Sequence, residues 1–165
     1  MLRLFALALG LEENRLLNLF RQPNSRLKLN HYPPQPNPRR ENDIGVVPHS
    51  DSGCFTILWQ DDNGGLEVQN RRGDWVAAPP LEGSFVVNIG NLLQYWSNGR
   101  FSSTPHRVIN RNTCDRYSIP FFVNPDFDAR VTPLVDLDQP GFEAFEYGQY
   151  QIDLWRRSFP IANIP

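Results

Sequence analysis

The sequence predicts a mainly β protein, a sandwich or double-sheet jelly roll with a helix at each end. Three observations carry the prediction. Short runs rich in β-branched and aromatic residues follow one another through the middle of the chain. Turn residues separate them at close intervals. Apolar residues at helical spacing mark the two flanks.

In the N-terminal flank, Leu2, Phe5, Leu9, Leu16, Leu17 and Phe20 recur at helical spacing, which predicts an amphipathic helix or a helix pair broken near Gly10. The apolar run is too short to span a membrane. It passes into Glu12-Glu13 without a small-residue cleavage pattern, so it is not read as a signal peptide. RQPNS breaks the pattern, and Leu27 to Pro33 (LKLNHYP) alternates as a half-buried strand does. PPQPNPRREND is rich in proline and charge and reads as a loop. Strands are predicted at Gly45 to Pro48, Phe55 to Gln60, Gly65 to Gln69, Trp75 to Ala77, Ser84 to Ile89, His106 to Asn110 and Arg116 to Val123. Turns are read at Asp61 to Gly65, Arg72-Gly73-Asp74, Leu81-Glu82-Gly83, Gly90-Asn91 and Asn98-Gly99. Tyr147, Tyr150, Leu154 and Trp155 predict a closing helix from Tyr147 to Phe159. The chain thus divides into a helical segment at 1–22, a β core at 23–135 and a helical segment at 136–165. Its 165 residues suffice for one domain with a sizeable core.

Composition narrows the function. A net charge of -2 without a long basic run argues against a nucleic-acid partner, and Arg39-Arg40 and Arg71-Arg72 read as loop charges. Cys54 and Cys114 are too few for a disulfide scaffold or a cysteine-rich zinc site, so a reduced, cytoplasmic setting is expected, with no membrane partner. Cys54 is expected to pack as a small apolar residue. Trp59, Trp75, Trp96, Phe85, Phe121 and Phe122 are assigned to core and sheet packing. Asn63-Gly64-Gly65 is a hairpin turn, since no Lys-Ser/Thr follows it to make a phosphate loop, and no Gly-x-Ser-x-Gly supports serine hydrolysis.

VVPHSDSGCFTILWQ carries the chemistry. Residues two apart in a strand share a face, so His49 and Asp51 are expected to converge. A third metal ligand must come from elsewhere, with His31 and His106 as candidates. His106 opens a later strand behind Pro105, whereas the parity of His31 opposes that of Asn30 and Tyr32 and makes it a surface residue. His49, Asp51 and His106 give two imidazoles and a carboxylate, the facial triad of non-haem Fe(II) oxygenases, though a zinc hydrolase uses the same ligand types. Arg116 and Ser118, also two apart, offer a guanidinium fork and a hydroxyl to a carboxylate. Asn30 and Tyr32 add an amide and a phenol to the same ligand, which suits a keto acid beside a half-open iron.

Together, LKLNHYPP, VVPHSDSGCFTILWQDDNGGLEV, GSFVVNIGNLLQYWSNGRFSSTPHRVIN and RYSIPFF resemble the Fe(II)/2-oxoglutarate-dependent oxygenase superfamily, in its isopenicillin N synthase-like branch. The resemblance covers Leu27 to about Pro133, and its specificity lies in the order His-x-Asp, distant His, Arg-x-Ser. It implies a double-stranded β-helix, the distorted jelly roll of that family. It implies His49, Asp51 and His106 as Fe(II) ligands and Arg116 and Ser118 as partners of the far carboxylate of 2-oxoglutarate. By the same resemblance Tyr32 adds to the carboxylate site and Asn30 stands near the metal-chelating end. The implied reaction uses O2 to hydroxylate, desaturate or cyclise a small organic molecule while 2-oxoglutarate becomes succinate and carbon dioxide. The family also implies an N-terminal region longer than this chain carries, contributing helices, outer strands and part of the substrate pocket. Two other readings stay open: an oxidase of the same branch whose Arg-x-Ser pair holds the substrate's own carboxylate, and a non-catalytic metal-binding fragment.

Overall fold

The computed structural model describes residues 1–35, 44–111, 113–135 and 142–158. The predicted loop from residue 36 onward, with Arg39-Arg40, and Phe159 at the end of the predicted closing helix lie outside them.

The elements in order are α1 (Leu2–Ala8), a 3-10 turn (Leu17–Leu19), β1 (Arg26–Leu27), β2 (Asn30–Tyr32), β3 (Ile44–His49), β4 (Phe55–Gln60), β5 (Leu66–Gln69), β6 (Trp75–Ala77), β7 (Val86–Ile89), α2 (Asn91–Trp96), β8 (His106–Ile109), β9 (Arg116–Val123), β10 (Arg130–Val131), β11 (Phe145–Glu146) and α3 (Tyr147–Ser158). Among the described residues they form two main antiparallel sheets, the larger in the order β1-β9-β4-β7 with β2 also on β9, the smaller in the order β3-β8-β5-β6, and a separate two-stranded ladder of β10 and β11. From β3 to β9 the chain passes back and forth between the sheets. That winding brings β4 against both β7 and β9, and β8 against both β3 and β5. No helix among the described residues is long and apolar enough to cross a membrane.

The predicted strand from Leu27 to Pro33 is split in two, and the cause lies on its neighbour. Arg26 faces Phe122, and Asn30 faces Ser118, which sets Lys28 opposite Pro120. The Lys28 N–H donates to the Pro120 carbonyl at 3.0 Å. Proline has no N–H to return the bond, so the ladder lapses for one step. The predicted helix break near Gly10 has a different basis. Gly10 takes φ +74°, and the N–H groups of Gly10 and Leu11 close back on the carbonyls of Leu7 and Ala6 at 2.9 Å each, a Schellman ending.

Two apolar clusters hold the fold. The larger packs Phe5 and Ala6 of α1, Phe55, Leu92, Leu93 and Trp96 of α2, Val123 and Tyr147 against the outer side of the large sheet. The smaller joins Tyr32 and Leu58 of the large sheet to Leu66 and Val108 of the small one, so the two sheets face each other there. Cys54 is fully buried in the larger cluster, as expected of a small apolar side chain. Three of the aromatic residues assigned to packing are instead exposed: Trp59 by 39%, Phe121 by 37% and Phe85 by 62%. The N-terminal segment packs on the large sheet around Phe55, Ile57 and Val123, in a cluster that does not include Trp59.

Candidate metal centre and its adjoining cavities

His49 ends β3 and His106 begins β8, and the two residues are paired across the ladder. Their imidazole centroids are consequently 4.3 Å apart. Each Nδ1 lies against a backbone carbonyl, that of Val47 at 2.9 Å and that of Thr104 at 3.1 Å. A carbonyl can only accept, so each Nδ1 carries a proton, and in the neutral imidazole each Nε2 then keeps its lone pair.

Asp51 joins them, but not by strand alternation, because β3 stops at His49. The turn after β3 is held by the start of α2, an element of which the sequence showed only turns at either end, Gly90-Asn91 and Asn98-Gly99. Asn91 N–H donates to the Asp51 carbonyl at 2.8 Å and Leu92 N–H to the Gly53 carbonyl at 3.0 Å. Residue 90 must be glycine for this approach, since a Cβ there would stand 2.2 Å from the Gly53 carbonyl oxygen. Thr56 Oγ1 donates to Asp51 Oδ2 at 2.5 Å. The other oxygen, Oδ1, lies 3.7 Å from the Nε2 of both His49 and His106.

The donor set passes a direct test for a cation. Two imidazole lone pairs and a carboxylate oxygen converge, all within 4.8 Å of one another, with no proton donor among the described residues between them. Asp51 and His106 are buried and His49 is partly exposed. Burial pushes the His106 imidazole below its ordinary range, against the pull of Asp51, which favours the neutral form a metal requires.

Arg116 and Ser118 lie on one face of β9, where strand periodicity does hold. Both are paired residue for residue with β2, Arg116 with Tyr32 and Ser118 with Asn30. The Arg116 side chain has no exposed surface. Its Nε donates to the Gly64 carbonyl and its Nη2 to Gln60 Oε1 at 3.3 Å, and the guanidinium lies 4.7 Å above the Tyr32 ring. Its Nη1 is buried without a partner among the described residues, which is costly for a charged donor and marks a place for an acceptor. Asn30 Nδ2 donates to Ser118 Oγ at 3.3 Å. His31 points away as read, 2.6 Å from Asp115 and stacked on Tyr117.

His49, Asp51, His106, Arg116, Ser118, Tyr32 and Asn30 all line one inner cavity with about 90 Å³ of free space between the sheets. Thr56 and Asn88, paired across β4 and β7, line it too and were not singled out from the sequence. Their signal was available: each is a polar residue inside an otherwise apolar strand run, and each is buried. A second cavity, of about 610 Å³, shares His49 and Asp51 with the first and extends toward α3.

The sequence model of the 2OG-Fe(II) oxygenase superfamily matches residues 23–125, the stretch that supplies every side chain of the inner cavity. The chain belongs to this superfamily. Feruloyl CoA ortho-hydroxylase 2 of Arabidopsis thaliana is 39% identical over 140 residues, which are 82% of this chain and 38% of that protein. The 2-oxoglutarate-dependent dioxygenase citB of Monascus ruber is 43% identical over 115 residues, 68% of this chain and 35% of that one. Among solved structures, a full-length Neurospora crassa protein in complex with alpha-KG and thymine superposes with a TM-score of 0.88 at 29% identity, over 96% of this chain and 51% of that chain. JOX2 in complex with 2OG, Fe and JA gives a TM-score of 0.83 at 34% identity, over 92% and 46%. The back-and-forth winding is therefore the double-stranded β-helix of this superfamily, and Fe(II), 2-oxoglutarate and O2 are the cofactor and co-substrates that go with it. This superfamily member spans little more than a third of its curated relatives and about half of the solved chains.

Proposed function

We propose that this superfamily member is the catalytic core of an Fe(II)- and 2-oxoglutarate-dependent oxygenase that oxidises a small organic molecule. In this reading His49 and His106 through Nε2, and Asp51 through Oδ1, hold Fe(II). Arg116 and Ser118 receive the far carboxylate of 2-oxoglutarate, Tyr32 packs against that guanidinium, and Asn30 orients the Ser118 hydroxyl. Iron with 2-oxoglutarate supplies the activation of O2, which releases succinate and carbon dioxide and oxidises the second substrate by hydroxylation, desaturation or ring closure.

The chain's own contribution is position and charge. The Val47 and Thr104 carbonyls fix the histidine tautomers, and Thr56 fixes the carboxylate. Arg116 is held on Gly64 and Gln60 with one Nη left over, so an incoming carboxylate meets a guanidinium that is already oriented and dry.

The observation that carries the reading is this pairing in a single cavity: a cluster of proton-free lone pairs at one end and an unpartnered guanidinium nitrogen at the other. The test is anaerobic addition of Fe(II) and 2-oxoglutarate, which should give a weak visible charge-transfer band. Oxygen should then yield succinate. His49→Ala should lose both signals, and a wild-type chain that binds Fe(II) yet never binds 2-oxoglutarate would refute the assignment.

A further inference from the structure

The outer cavity has a chemistry of its own. It opens from the His49–Asp51 turn and runs between β1, the end of β9 and α3. Arg26 and Lys28 bring positive charge to its wall, and Phe122, Leu154 and Trp155 bring apolar surface. Among the described residues the only carboxylate on that wall is Asp51, whose Oδ2 is taken by Thr56. Neither Arg26 nor Lys28 has a carboxylate within ion-pair distance among the described residues.

Arg26 is oriented without being neutralised. Its guanidinium lies 5.1 Å from the centroid of the Trp155 ring. Burial pushes the nearby Tyr147 phenol up to about 12, against the pull of the Arg26 charge, which puts the guanidinium beside that hydroxyl. A ring face and a neutral phenol hold a guanidinium in place without neutralising it, and the N–H groups not spent on the phenol suit an anion. At about 610 Å³ the cavity has the size of a small-molecule site, whereas the inner one, at about 90 Å³, suits only a small acid.

We propose that the primary substrate is an organic anion with a flat apolar body, its charged group received by Arg26 and its body packed against Phe122 and Trp155. This deepens the oxygenase reading and rests on it for the word substrate; the anion site itself stands on the cavity. Lys28, which lines both cavities, adds a second positive charge at their junction.

The test uses two probes of nearly equal shape, 2-naphthoate and 2-naphthamide, titrated into the chain loaded with Mn(II) and 2-oxoglutarate without oxygen. Naphthoate should bind about ten-fold more tightly or better, as a charge-assisted pair at a half-open site allows. The preference should shrink as salt is added. In Arg26→Gln it should fall to near parity while 2-oxoglutarate affinity stays unchanged. Arg26 is exposed and β1 pairs with β9 through the backbone, so the variant keeps its fold, which circular dichroism checks. Trp155→Ala should weaken both probes, and unchanged affinity for both would overturn the packing on Trp155. Equal affinity for the two probes, no binding of either, or a preference that survives Arg26→Gln would overturn the proposal. A wild-type chain that fails the preceding 2-oxoglutarate titration sinks the oxygenase reading instead, because the naphthoate preference and its dependence on Arg26 do not need that ligand.

Discussion

At one end of the inner cavity three side chains turn lone pairs toward one another; at the other end a guanidinium is sealed from water with no carboxylate against it among the described residues. The first end is assembled across two backbone pieces, the β3–β8 ladder and the turn clamped by α2, and it is open to solvent at His49. The second is assembled within one ladder, β2 on β9, and is closed. Among the described residues both ends have neutral hydrogen-bond partners, and the two ends differ in the sign of the charge each is set to receive. The open end accepts a cation that exchanges with solvent. The closed end carries a desolvation cost that only an anion offsets.

The sharpest way to break this comparison is to remove the charge at the metal end. Asp51→Ala should weaken Fe(II) binding by at least about a hundred-fold, since it deletes the single anionic ligand. Calorimetry with Fe(II) under nitrogen measures it, and the apo melting temperature should change little. At the other end, Arg116→Met should cost about 2–5 kcal/mol of 2-oxoglutarate binding while Fe(II) affinity is retained. Because the buried guanidinium lacks a carboxylate, the apo variant should melt no lower than the wild type. A lower melting temperature would show that the protein does neutralise that end.

Thr56→Val separates holding a ligand from being one. It keeps the side-chain shape and deletes the donor to Asp51, so Fe(II) affinity should fall by about ten- to a hundred-fold with 2-oxoglutarate binding intact. A smaller effect belongs to acid. The neutral His106 imidazole is favoured by burial, so its folded value lies below 6.5. Its contribution to apo stability is full above that ordinary value and is lost as pH falls from there toward the folded value. The urea midpoint of the apo chain should decline over that window, and His106→Gln should flatten the decline. Least affected should be Asn30→Ala, which removes one neutral hydrogen bond to Ser118 and costs 2-oxoglutarate affinity about 0.5–1.5 kcal/mol.

What the sequence could disclose follows from where strand alternation holds. Arg116 with Ser118, and Asn30 with Tyr32, were legible because both pairs sit inside strands, and residues two apart then share a face. His49 and Asp51 were legible as a pair for a reason that does not apply. They meet because α2 clamps the turn after β3, and that contact joins residues about forty positions apart. The helix itself was hidden because its ends, Gly90-Asn91 and Asn98-Gly99, look like turns, and only Leu92, Leu93 and Trp96 between them show a buried face. The break at Lys28 was hidden in another way: its cause, Pro120, stands in a different strand and acts only through register. The short β10–β11 ladder carries too few residues for any period to show.

α2 also ties the metal end to the rest of the molecule. Its first N–H groups grip the loop bearing Asp51, and its buried face is wedged among Phe5, Phe55 and Tyr147. Damage far from the pocket, such as trimming Trp96, would therefore surface first as iron lost on purification. How much iron a preparation retains is then a gauge of how soundly its interior is packed, readable before any substrate is known.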